Sequence, residues 1–152
     1  SMSTVYHIVQ NPAAKRVLRI FDHSSIFVLI AGTYTPYLLM CMRNPVGWAI
    51  FGLIWGMAVL GIVLNAIDLD RFSKISTLCY VLMGWGIVFT LPKITKVIGM
   101  QGTALLIAGG VVYTLGVIFY VLKKYRYMHS VWHLFVLAGS FCHYLSILLY
   151  VL

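Results

Sequence analysis

His129 and His133 stand four residues apart at the start of an apolar run. On a helix this spacing puts both imidazoles on one face, one turn apart, where they can converge on a metal ion. The same pair also reads as an interfacial histidine followed by a buried, hydrogen-bonded one. Ser130 occupies the place where an H-E-x-x-H zinc protease carries its glutamate, so a general base has to come from elsewhere in the fold. Acids are scarce: Asp22, Asp68 and Asp70 are the full set. Asp68 and Asp70 share a segment with Arg71 and Lys74 and read as solvated loop charges. Asp22 opens an apolar run, followed by His23, Ser24 and Ser25. On spacing alone it reads as a helix N-cap, yet it is also the one acid positioned at the membrane. His7 follows Ser3 by four residues, again one face if that stretch is helical. His143 lies ten residues beyond His133, about 15 Å further along a helix. It reads as a buried polar residue bonded to a neighbouring helix, and His23 as an interfacial residue beside Asp22.

The elements that position these groups are membrane helices. Charged residues make up 9% of the chain, against about a quarter in a soluble domain, so water cannot be the solvent for most of its surface. In a bilayer only helices and closed barrels satisfy their backbone groups, and the continuous apolar runs favour helices. Five spans are expected: Asp22–Met42, Val46–Ala66, Ile75–Leu91, Thr103–Leu122 and His129–Leu152. Lys15, Arg16, Arg19, Arg71, Lys74, Lys123, Lys124 and Arg126 fall on one side, and Arg43, Lys93 and Lys96 on the other. The positive-inside rule puts the first side in the cytoplasm and the C-terminus outside. His7, Asp22, His129 and His133 then share the cytoplasmic ends of their elements. The formal charge of +8 reflects these topology clusters and does not indicate nucleic acid. Tyr37, Trp48, Tyr125 and Trp132 fit interfacial belts. Gly52 and Gly56 form a GxxxG, expected to serve packing within the chain more than dimerisation. Pro36 is expected to kink the first span, with neighbouring threonine hydroxyls satisfying freed carbonyls. Cys41, Cys79 and Cys142 lack metal or redox spacing and read as small buried hydrophobes.

Ser3-Thr4-Val5-Tyr6-His7, Phe21-Asp22-His23-Ser24-Ser25-Ile26, Ala31-Gly32-Thr33-Tyr34-Thr35-Pro36 and His129-Ser130-Val131-Trp132-His133 with His143 resemble the hemolysin III family. That family is the bacterial branch of the progestin and adipoQ receptor proteins, and the resemblance covers essentially the whole chain. It implies a seven-helix membrane fold with a cytoplasmic N-terminus, in a bacterial plasma membrane. It also implies a zinc ion near the cytoplasmic face held by His7, His129 and His133, with Ser3 and Asp22 as polar partners. The Ser3/His7 motif normally ends the second span, so this chain, a single transmembrane helical domain over 1–152, is expected to lack the first span and most of the second. About 50–60 further residues upstream would supply them.

Three functions compete at this stage. The superfamily includes alkaline ceramidases, which implies zinc-dependent hydrolysis of a lipid amide, with Asp22 handling a proton and Ser3 assisting. A non-enzymatic sensor or regulator of lipid state would use the zinc to tie helices together. A cytolytic pore, implied by the family name, would need a polar lining that these apolar spans lack. Membrane lipids and zinc are the expected partners under each of the first two.

Overall fold

The structure, a computed structural model, describes residues 11–121 and 127–152. Ser3 and His7 lie outside the described residues, as do Lys123, Lys124, Tyr125 and Arg126. Four α-helices and one 3₁₀ turn account for the described chain, and no strand occurs among those residues. Helix α1 spans Pro12–Cys41, α2 Pro45–Trp85, α3 Leu91–Val121 and α4 Met128–Tyr150, with the 3₁₀ turn Gly86–Phe89 between α2 and α3. All four helices are long and apolar enough to cross a membrane.

Helix α1 begins ten residues before the expected span. Asn11 caps it, its side chain accepting from the Ala13 N–H at 3.0 Å, and Pro12 takes the first turn. Proline suits that position because its missing N–H would have been unpaired anyway. Asp22 is therefore inside a helix and not at its start, so the N-cap reading fails. The helix runs on through Pro36. Thr33 and Thr35 donate to the Leu29 and Ala31 carbonyls one turn back. Neither serves the Gly32 carbonyl that Pro36 leaves unpaired.

Helix α2 joins the second and third expected spans through a single non-helical residue, Asp68, at φ −155°, ψ 97°. The chain doubles back there. Ser76 donates to Asn65 Oδ1 at 2.6 Å across the break, although 11 residues of straight helix would separate them by about 16 Å. Asp68 caps the second half by accepting from the Arg71 N–H, and Asp70 pairs with Arg19 of α1 at 2.8 Å. These loop acids are thus structural as well as solvated. Phe27 of α1 wedges into the hairpin, its ring tilted against Tyr80 with 4.4 Å between centroids and lying where a side chain on Gly61 would have to sit.

Helices α3 and α4 form the most extensive pair. Gly102, Gly109 and Gly116 recur every seven residues and line the side of α3 that meets α4. A Cβ at these positions would press on Tyr150, on His143, and on Phe135 and Trp132 respectively. Their partners run backwards in number, so the helices are antiparallel. In lipid, close van der Waals packing of this kind supplies the association that apolar burial supplies in water. Gly52 and Gly56, by contrast, are exposed with nothing near them, so the packing expected of the GxxxG is not made by the described residues.

Before Gly99, whose φ of 73° suits glycine, the segment 91–98 is a short helical stretch and not the expected loop. Ile94 and Ile98 bury against Tyr37 and Leu106, while Lys93 and Lys96 stay exposed. This stretch closes the end of the bundle opposite Asp68. Tyr37 and Trp132 are buried inside the protein, which corrects their assignment to an interfacial belt; Trp48 remains exposed.

Candidate metal centre

Two helices build the site. The Asp22 side chain leaves α1 and is 12% exposed. The His129 and His133 side chains leave the first two turns of α4, whose height against α3 is fixed by the Gly116 contact with Trp132 and Phe135. Asp22 Oδ2 lies 3.5 Å from His129 Nε2, and Oδ1 lies 3.7 Å from His133 Nε2. The two Nε2 atoms are 3.1 Å apart. Two imidazole nitrogens this close must share a proton or a cation between them, since bare lone pairs repel. Metal–nitrogen bonds of about 2.0–2.1 Å in a tetrahedron set ligand atoms about 3.3–3.4 Å apart. The two histidine nitrogens lie near that edge, the 3.5 and 3.7 Å distances belong to different oxygens of Asp22, and each residue offers one ligand atom within 4.8 Å of the others. Asp22, His129 and His133 therefore form a possible metal site, and two imidazoles with a carboxylate are a donor set that zinc accepts.

The structure thus brings together three of the five residues the sequence points to. Ser3 and His7 lie outside the described residues. Asp22 groups with the two histidines as a residue able to hold a metal ion, whereas the sequence reading made it a proton-handling partner and left it out of the ligand set.

His23 is placed differently from the expectation of an interfacial residue. It is buried, at 7% exposure. Its Nδ1–H donates to the Arg19 carbonyl at 3.0 Å, and its Nε2 accepts from the Tyr120 hydroxyl at 3.0 Å. Tyr80 donates to the His23 backbone carbonyl at 2.7 Å. Two tyrosines, from α2 and α3, therefore clamp the turn of α1 that presents Asp22. Tyr120 also packs on Trp132, 5.4 Å between rings, one residue from His133. The sequence reading passed over both tyrosines. Their signal was available, because a tyrosine deep in an apolar span needs a partner for its hydroxyl. His143 behaves as expected: its Nε2–H donates to the Leu106 carbonyl of α3 at 3.1 Å.

A cavity of about 120 Å³ lies beside the site, between α1, the second half of α2, α3 and α4. Its wall is mostly Ile, Leu and Val and reaches Tyr80 and Trp132 at the Asp22 end. Trp85, Val88, Ile107 and Val111 line it and are themselves exposed, so it opens sideways between the end of α2 and α3.

The profile of the haemolysin-III-related family matches residues 1–144. This chain belongs to that family. It is 43% identical over 150 residues to Hemolysin-3 of Bacillus cereus, covering 99% of this chain and 68% of that protein. It is 38% identical over 148 residues to the Hemolysin-3 homolog of Bacillus subtilis, covering 97% and 70%. The human monocyte to macrophage differentiation factor is 27% identical over 152 residues, covering 96% and 63%. No solved structure matches the chain.

Proposed function

We propose that this haemolysin-III-related chain is a membrane-embedded zinc protein that hydrolyses a lipid amide near the cytoplasmic face. The convergence of Asp22, His129 and His133 within 3.1–3.7 Å carries the reading. His129 and His133 would hold the ion, with His7 completing the set as the family resemblance implies. When bound, zinc supplies a Lewis acid and lowers the pKa of water to about 7. Asp22 takes up a proton through a carboxylate that the Tyr80–His23–Tyr120 clamp keeps in place, and Ser3 assists. The cavity holds the lipid tail and excludes water from it. The α2 hairpin makes two crossings, so the described chain crosses the membrane five times within a seven-span fold. The basic residues Lys15, Arg16, Arg19, Arg71 and Lys74 cluster at the site end, which supports a cytoplasmic site and an external C-terminus.

A non-catalytic role has one observation in its favour. Helices α1 and α4 meet over a short stretch only, so an ion shared by Asp22 and the histidines would itself tie them together. That reading makes the protein a sensor or regulator of lipid state. Nothing in the apolar cavity wall favours a pore.

Metal analysis of the purified protein tests the site. Bound zinc should be present in the wild type and lost in His129→Ala and His133→Ala. Unchanged zinc content in either variant rejects the proposal. Release of fatty acid from a short-chain ceramide by the zinc-loaded wild type separates the enzyme from the structural role.

A further inference from the structure

Asn65 lies near the end of the first half of α2, between Leu64 and Ala66, and is 0% exposed. A polar side chain inside a membrane span is costly and usually functional. The plainest account is packing glue. Ser76 donates to Asn65 Oδ1 at 2.6 Å and ties the two halves of the hairpin together, as polar residues often do between membrane helices. That bond uses only the oxygen of the amide. Nδ2 can only donate, and a buried donor needs an acceptor. Asn65 is a hydrogen-bonding neighbour of the Tyr80 hydroxyl, and Nδ2 has no other partner among the described residues.

Tyr80 is suited to receive it. Its own proton goes to the His23 backbone carbonyl at 2.7 Å, so the hydroxyl oxygen is left to accept. Phe27 lies against Gly61, and Trp55 donates to Thr35 at 3.2 Å. Helix α1 and the first half of α2 therefore run antiparallel, in a register that sets Asn65 level with His23. Ser76, Asn65, Tyr80 and the His23 carbonyl form one line in which every group donates towards α1. Hydrogen bonds in such a chain polarise and strengthen one another. The line ends on the turn of α1 that carries Asp22, the residue next to His23.

We infer that Asn65 is a positioning residue for the metal centre: it fixes the Tyr80 hydroxyl, and through it the turn of α1 that presents Asp22 to His129 and His133. Asn65 itself touches neither the ion nor a substrate. The inference rests on the proposed function only in taking Asp22 as part of a zinc site; it does not depend on turnover.

Zinc affinity of the purified protein, measured by competition with a chromogenic chelator, tests this in four variants. Tyr80→Phe keeps the ring against Phe27 and loses only the hydroxyl. Tyr80→Phe and Asn65→Leu should each weaken zinc binding roughly threefold to tenfold. The double variant should bind within about twofold of the weaker single one, because both changes break the same link. Ser76→Ala loosens the hairpin and leaves the amide beside Tyr80. It should lower the melting temperature of the metal-free protein and leave zinc affinity within about twofold of wild type. Losses that add in the double variant overturn the inference, since Asn65 then acts by a route other than Tyr80. A loss in Ser76→Ala as large as that in Asn65→Leu overturns it in favour of packing glue. Wild-type affinity in Tyr80→Phe overturns it even if Asn65→Leu fails to fold, and leaves the metal site standing. A wild-type protein that binds no zinc overturns the site and this inference together.

Discussion

His129 and His133 at one end of α4 and His143 ten residues further along are the same side chain in two different predicaments. At the first position the helix has just begun, and among the described residues no carbonyl of a neighbouring helix claims the ring nitrogens that face Asp22. At the second, α3 approaches closely at Gly109 and the Leu106 carbonyl takes the Nε2–H. The difference lies in the backbone that surrounds each ring. Where a neighbouring helix packs tightly, its carbonyls pair with the imidazole and commit it to structure. Where the packing opens, the imidazoles are left to one another and to a carboxylate, which is the arrangement a cation completes.

Gly109 offers the hardest blow to this contrast. A Cβ there would overlap the His143 ring, and overpacking of this kind costs about 1–3 kcal/mol. Gly109→Ala should lower thermal stability in detergent by that order, with Gly109→Leu failing to assemble α3 against α4. If the two ends of α4 are independent, Gly109→Ala should still bind zinc to the wild-type stoichiometry at saturating metal. Loss of zinc from a folded Gly109→Ala protein would show that the tight end sets the open one.

Asp22→Asn strikes the other end. The change keeps shape and removes charge. Were Asp22 a cap, asparagine would serve nearly as well, but α1 is capped by Asn11. Zinc affinity should fall roughly 10–100-fold, as it does when a metal site loses a carboxylate partner, with the melting temperature of the metal-free protein little changed. An affinity within twofold of wild type, measured by competition with a chromogenic chelator, would remove Asp22 from the site.

Much of this was readable in the chain. The His129/His133 spacing, the scarcity of acids and the membrane helices follow from residue type and period. The start of α1 was misread because Lys15, Arg16 and Arg19 interrupt the apolar window. Asn11-Pro12, a cap followed by proline, carried the correct signal about three turns earlier. That error made Asp22 look like a cap. The reversal at Asp68 was legible as polar loop residues, but not that one non-helical residue would suffice. His23 gave no local sign of burial, since its partners Arg19, Tyr80 and Tyr120 come together only when three helices pack. The seven-residue recurrence of Gly102, Gly109 and Gly116 was present in the sequence. It drew less notice than the GxxxG of Gly52 and Gly56 because a familiar short motif masks a longer period.

The two glycine sets give the smallest effect and a control for the rest. Gly52 and Gly56 are exposed, and a Cβ on either meets nothing within 4 Å. Glycine inside a helix costs about 0.5–1 kcal/mol relative to alanine through lost backbone freedom. With no neighbour to offend, Gly52→Ala and Gly56→Ala should therefore leave stability unchanged or raise it by a few tenths to about 1 kcal/mol. Zinc content should not move. The sign is what separates the sets: the same substitution stabilises on the open face of α2 and destabilises at Gly109, where α4 fills the space. Thermal melts of the three alanine variants in one detergent read that sign directly. A clear loss of stability at Gly52 or Gly56, of the size expected at Gly109, would mean that another helix packs on that face of α2, as the GxxxG spacing alone would suggest.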